Sequence, residues 1–171
     1  MLTVPVLGNL SEHDIVPEWV VSEPIPVPLL GGDRQRFTLV MDAIGEERVS
    51  GEVAAAVDAF LSLGEADREL IGEKAFENYT EYVEEVEFEG LPVENPSEIW
   101  PFIHPEGIYV SRRHRRDRDI YVTVACQCDW EEEHGLQFVY RRGHQLVRVS
   151  DQDGHLTSAD AYNRDDLEVG L

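Results

Sequence analysis

The chain has 171 residues, of which 35 are acidic and 14 are basic, so its formal net charge is −21. A surface this anionic repels a nucleic-acid backbone, and the composition therefore disfavours a nucleic-acid partner and favours a basic protein partner. The sequence contains neither a run of about 18 apolar residues nor a signal peptide, so we expect a cytoplasmic protein that does not enter a membrane.

A chain of this length can build one good hydrophobic core, and we expect a single domain over residues 1–171. The charge is uneven, because residues 1–98 carry 22 acids and 5 bases whereas residues 99–171 carry 13 and 9. Two interpretations of this acidity stay open. It either forms a docking surface for a basic partner or reflects a proteome-wide acidic bias.

Residues 1–49 hold five of the nine prolines, which separate short apolar stretches. Proline lacks the N–H group that a central strand needs, so these stretches are predicted to be edge strands. The predicted strands span residues 4–7, 18–21, 25–30 and 36–42.

Residues 50–89 are predicted to form a helical hairpin. Apolar residues recur at helical spacing over about 50–63, with Ser50 as the N-cap and Gly64 as the left-handed residue that ends the helix. The same spacing predicts a second helix over residues 66–86.

Glutamate recurs at every fourth residue of the second helix. Like charges four residues apart destabilise a helix by about 0.2–0.5 kcal/mol per pair, so this repeat does not serve helix stability. We interpret it as an acidic ridge that docks a basic partner, and the alternative is an ordinary solvated face. The acidic ridge consists of Glu65, Glu69, Glu73, Glu77 and Glu81.

Residues 99–150 are predicted to form antiparallel strands, at about 108–111, 120–128, 136–141 and 146–149. The strongest pattern is the alternation of Ile120, Val122 and Val124 with polar or small residues. The fold class that follows is α+β, an antiparallel β-sheet with two consecutive α-helices packed on it.

A basic loop, "RRHRRDR", lies at a predicted hairpin tip between two of these strands. Its arginines could capture phosphate or a polyanion, or dock on an acidic surface, and a polar loop is the alternative. Self-association is a further alternative, in which this loop contacts the acidic ridge of another copy of the chain. The loop's candidate residues are Arg112, Arg113, Arg115 and Arg116.

The tail, residues 151–171, is turn-rich and is expected to fray. Its "DQDG" stretch lacks the later carboxylates of a calcium loop, so we interpret it as a turn.

The stretch "ACQCDWEEEHGLQF" connects two of the predicted strands. Asp129 and Glu132 have the spacing of a capping pair for one helical turn, and Gly135 can adopt a positive φ. Trp130 continues the strand alternation and should fold over the core. The turn motif is defined as Asp129, Trp130, Glu133, His134 and Gly135.

A metal site is the alternative for the same stretch, with Cys126, Cys128 and His134 as ligands and a metal-dependent hydrolase using Glu133 as the activity. C-x-C on a strand is a poor match to known zinc spacings, and we expect reduced thiols. The sequence has no P-loop, G-x-S-x-G or G-x-G-x-x-G motif. We therefore expect no cofactor and lean against an enzyme.

The residues "CDWEEEHGLQFVYRRGHQLVRVSDQDG" resemble a group of uncharacterised bacterial domains that share a W-x-x-E-H-G turn followed by two strands. The N-terminal part is similar to the front of the same group. The resemblance implies an α+β fold and an interaction role of the immunity-protein kind, and it carries over no catalytic residues. The hypothesis that follows is a non-enzymatic domain whose acidic surface binds a basic protein.

Overall fold

The computed structural model describes residues 3–44, 49–87 and 89–168, and in these ranges it combines β-strands with α-helices. The α+β fold class is therefore confirmed. The strands are β1 (Thr3–Val4), β2 (Gly8–Glu12), β3 (Val20–Ser22), β4 (Ile25–Pro26), β5 (Arg34–Gln35), β6 (Phe37–Leu39), β7 (Ile103–Arg112), β8 (Ile120–Cys128), β9 (Leu136–Arg141) and β10 (Gln145–Ser150).

The helices are α1 (Met41–Ile44), α2 (Ala54–Leu61), α3 (Glu65–Val86) and α4 (Ser158–Tyr162), and a π-helical turn, Val49–Val53, leads into α2. The two consecutive helices predicted over 50–63 and 66–86 are confirmed. None of the described helices is long and apolar enough to cross a membrane.

Eight strands form one sheet in the order β1-β2-β3-β6-β7-β8-β9-β10, and β4 pairs with β5 in a separate ribbon. Neighbours in the large sheet are antiparallel except for β6 and β7, which are parallel with Phe37 opposite Ile108. A parallel pair needs a long crossover, and the segment that contains α2 and α3 supplies it.

Alternation along the strands divides the sheet into two faces. Val122 and Val124 are fully buried on the face that α2 and α3 cover. Phe60 of α2 contacts Phe37 and Tyr140 edge to face, with ring centroids 6.0 and 5.6 Å apart. This face, called the helix face below, holds the main hydrophobic core.

Residues 151–168 cover part of the opposite face, which corrects the expectation that the tail frays. Arg148 of β10 donates to both oxygens of Asp153, at 2.7 and 2.6 Å, and to the carbonyl of His155. Tyr121 and Val139 are buried beneath this C-terminal segment, at 1% and 0% exposure. Residues 169–171 of the predicted tail lie outside the described residues.

Gly64 begins α3 instead of ending α2, which corrects another prediction. Its φ of −122° is extended, and its N–H donates to the Asp67 carboxylate at 2.9 Å. α2 ends at Leu61 with Ser62 as its C-cap, and the Ser62 hydroxyl donates to the Asp58 carbonyl at 2.8 Å. The side chain of Ser50, predicted as the N-cap, lies outside the described part of the structure.

The N-terminal strands are shorter than predicted. The stretch 25–30 stops pairing at Pro26, because Pro28 opens a 3₁₀ turn in which its missing N–H costs nothing. Gly31 ends that turn with a φ of 71°. The predicted strand 36–42 likewise ends at Leu39, and α1 follows.

β7 is longer than predicted and begins at Ile103, before Pro105 and Gly107. The strand keeps its pairing to β8 through an irregularity between these two residues. A bulge of this kind accommodates proline and glycine inside a strand, which the sequence pattern interpreted as a loop.

Candidate partner-binding surface

The acidic ridge lies on the outer side of α3. Ile71, Ala75 and Tyr79 on the inner side are buried, and all five ridge glutamates are exposed. Lys74 pairs with Glu77 at 3.0 Å, and within the described residues no other ion pair involves the ridge. The nearby Arg68 is turned inward, with its guanidinium carbon 3.8 Å from the centre of the Trp100 ring. Most of the ridge charge is therefore uncompensated.

Trp130 fastens the turn motif to α3. The residue is 2% exposed, its ring meets Tyr79 edge to face at 5.8 Å, and its indole N–H donates to Asn78 Oδ1 at 3.0 Å. The predicted fold of Trp130 over the core is confirmed. The contact also brings the turn next to the C-terminal half of the acidic helix, which no sequence spacing indicated.

Glu131, not Asp129, caps the turn. The Glu131 carboxylate accepts from the N–H groups of Glu133 and His134, each at 3.0 Å, and lies 2.9 Å from His134 Nδ1. Asp129 points elsewhere, to His104 Nε2 at 2.8 Å. The predicted Asp129 and Glu132 capping pair is wrong, because the chain makes a hydrogen-bonded turn here and no helix forms for these residues to cap.

Gly135 closes the turn, as predicted, with a φ of 64°. A Cβ atom at this position would lie 2.5 Å from the Cys126 carbonyl oxygen, so no other residue fits. The same carbonyl accepts from Gln152 Nε2 at 2.8 Å. The turn is thus held by β8 on one side and by the C-terminal segment on the other.

Helix α3 and the turn together line a groove of about 430 Å³. Its acidic lining comes from α3, from the turn and from the start of the C-terminal segment, and His134 is exposed at its edge. The groove therefore extends the acidic ridge across the turn motif as one surface. Its acidic residues are Glu81, Glu85, Glu131, Glu133 and Asp151.

The arginines of the basic loop are placed differently from the exposed cluster that the sequence suggests. Arg112 is buried and pairs with Glu52, and Arg116 pairs with Asp160 at 2.5 Å and with Asp165 at 2.7 Å. Only 2% of Arg113 is exposed. The fourth arginine, Arg115, is exposed.

Arg113 is the centre of a buried ion cluster. Its guanidinium donates to Asp117 at 2.6 Å and to Asp160 at 2.7 and 3.0 Å, and it also pairs with Glu168. Asp160 and Glu168 lie 47 and 55 residues away in sequence. The cluster ties the C-terminal segment to the tip of the β7–β8 hairpin, and sequence analysis missed it because no local spacing links these residues.

Comparison with known proteins gives one match. A family model described as a domain of unknown function, DUF6985, matches residues 6–156. The chain belongs to this family. The searches of curated proteins and of solved structures gave no match. The expected membership of an uncharacterised domain family is confirmed at this level.

The metal alternative does not fit this DUF6985 domain. Cys126 and Cys128 face the core at 0% and 2% exposure, whereas His134 is exposed and contacts Glu131. Among the described residues no three histidine, cysteine or carboxylate side chains are placed to hold a metal ion. Burial raises the pKa of the Cys128 thiol to about 11 and the pKa of Cys126 further, which disfavours the thiolate that binds metal.

The ion cluster predicts an acid-dependent contribution to the stability of the DUF6985 domain. Partial burial would raise the pKa of Asp160, but hydrogen bonds and charge from Arg113 and Arg116 outweigh it, so this pKa lies below its ordinary value. A lowered pKa in the folded state stabilises the fold above the unfolded-state pKa, and the contribution is lost as the pH falls through the folded-state pKa.

Asp160→Asn is therefore expected to lower the free energy of unfolding by about 1–3 kcal/mol at pH 7. The difference from wild type should shrink as the pH falls below about 4, the ordinary pKa of an aspartate, and vanish once the pH is below the lowered folded-state pKa of Asp160. Urea unfolding at several pH values measures it, with Asp166→Asn at an exposed ion pair as the control. A difference that is the same at pH 7 and pH 2 would contradict the role of the ionised Asp160.

Proposed function

We propose that this DUF6985 domain is a non-enzymatic protein-binding domain that docks a basic protein partner on its acidic surface. The surface consists of the acidic ridge and the groove that α3 shares with the turn motif. Long-range attraction of a cationic partner to such a surface accelerates the encounter and fixes the orientation of binding.

The observation that carries the proposal is the attachment of the turn to α3 through Trp130. Without that contact the ridge would be the solvated face of one helix, which is the ordinary meaning of a charged helix. With it, carboxylates from α3, from the turn and from the C-terminal segment surround a single groove. Like charges that are held together cost stability, and binding of a basic partner relieves that cost.

The chemistry of the surface also indicates a class of partner. A cationic cleft of the kind that nucleases use to bind polyanions is complementary to a ridge of glutamates beside an acidic groove. The domain would then act in the cytoplasm as an immunity-like protein that occludes the cleft, in keeping with the resemblance carried by Trp130, Glu133, His134 and Gly135. The two thiols are buried in the core, and this placement does not support metal-dependent hydrolysis.

Charge reversal tests the proposal. Proteins from a lysate of the native host are captured on the wild-type domain and on charge-reversed variants, and the retained proteins are compared. The ridge variant is Glu69→Lys, Glu73→Lys and Glu77→Lys. Its matched control changes the net charge by the same amount at the exposed residues Asp14, Glu18 and Glu23. We expect a basic protein to be retained by wild type and by the control but not by the ridge variant.

Two results would count against the proposal. One is that the ridge variant retains the same basic protein as wild type. The other is that the control loses it too, which would show that total charge and not this surface drives the capture.

A further inference from the structure

A second feature lies on the sheet face opposite the helix face. The C-terminal segment covers the β8 to β10 side of that face and leaves the β7 side open. The opening is a cavity of about 730 Å³ between Trp19 and residues 152–160. A volume of this size is within the range of small-molecule sites.

The cavity combines an aromatic wall with a polar floor. Trp19 and Tyr109 meet edge to face with ring centroids 6.5 Å apart, and Tyr109 is 37% exposed. Ser111 of β7 and Thr123 of β8 form part of the floor and are half-buried. Neither hydroxyl forms a hydrogen bond with another residue in the described part of the chain, so both are available to a ligand.

Among the described residues, the cavity lining offers one arginine that forms no ion pair. Asp160, the one carboxylate among the described lining residues, is already paired with Arg113 and Arg116. Arg112 and Arg113 are paired with carboxylates, whereas Arg115 is exposed and forms no ion pair with any described residue. The imidazoles of His114 and His155 also line the cavity.

We propose that this cavity binds a small organic anion that carries a flat ring. The ring lies against Trp19 and Tyr109, where stacking and edge contacts favour an aromatic group. The anionic group, a carboxylate or a phosphate, is bound by Arg115 and accepts from the hydroxyls of Ser111 and Thr123. The site is separate from the acidic surface, because α3 lies on the helix face.

Nuclear magnetic resonance of the indole N–H groups tests the proposal on the full chain. Trp19→Phe assigns the Trp19 signal, and Trp100 and Trp130 serve as internal references outside the cavity. The probes are adenosine 5′-monophosphate and indole-3-acetate, with adenosine and inorganic phosphate as the matched fragments of the first probe. We expect at least one ring-bearing anion to shift the Trp19 signal saturably while the reference signals stay unchanged.

Arg115→Gln should weaken that binding by about tenfold, the loss expected for a hydrogen bond between ions. Arg34→Gln removes the same charge from an exposed residue outside the cavity and should change the affinity less than about twofold. Equal weakening by both variants would overturn the proposal. It would also be overturned if adenosine or phosphate alone bound as tightly as the ring-bearing anions, or if no probe bound at about 10 mM, a very weak affinity for a built site.

Discussion

Arg113→Ala is expected to lower the free energy of unfolding by about 3–5 kcal/mol. The side chain is 2% exposed and bonds to three carboxylates. Its removal leaves Asp117, Asp160 and Glu168 close together with only the more exposed Arg116 and Arg141 nearby, and that arrangement is far more costly than the loss of a surface pair. Denaturant unfolding measures the change.

Arg164→Ala is the matched control for this prediction. Arg164 pairs with Asp166 at 2.5 Å, but both side chains are about 60% exposed, so its loss should cost less than about 1 kcal/mol. Hydrogen exchange should in addition show faster exchange over residues 157–168 in the Arg113 variant. If both substitutions cost the same, the C-terminal segment is not held by the ion cluster.

Gly143→Ala is expected to cost about 3 kcal/mol or more. Gly143 lies in the β9–β10 turn with a φ of 77°, and a Cβ atom there would come 1.9 Å from the carbonyl oxygen of Ala56. That oxygen belongs to the backbone of α2, so the whole helix must shift away from the sheet to make room. Thermal unfolding reports the loss directly.

The control for Gly143 separates backbone strain from the steric clash. Gly32 also has a positive φ, 86°, but a Cβ atom there meets nothing within 4 Å. Gly32→Ala should therefore cost only the strain of the left-handed conformation, about 1–2 kcal/mol. Equal losses for the two alanine variants would mean that α2 does not pack on the turn in the way described.

The parts of the fold that were predictable from sequence are those whose pattern is local. The alternation from Ile120 to Cys128 predicted β8 with its bounds, and the helical spacing of apolar residues predicted α3 to within one residue of its start. Trp130 was predictable for the same reason, since strand parity directs it to the core. The exposure of the ridge follows from that helical spacing, because the glutamates occupy the positions that the apolar residues leave.

What the sequence could not supply depends on contacts between distant residues. The buried pairing of Arg113 with Asp160 spans 47 residues, so the basic loop looked like a solvated cluster and the tail looked free. The parallel pairing of β6 with β7 depends on how the helical crossover closes and not on either strand's own residues. The capping role of Glu131 was hidden for another reason, because Asp129 is equally suited to the cap and is bound by His104 instead.

The most direct test of one acidic surface across α3 and the turn is the association rate of the captured basic protein at several salt concentrations. A turn variant, Glu133→Lys with Asp151→Lys, is compared with the ridge variant and with the control at residues 14, 18 and 23. We predict that the ridge and turn variants each slow association by about tenfold at low salt and flatten its salt dependence, while the control stays near wild type. A turn variant that associates at the rate of the control would contradict the account.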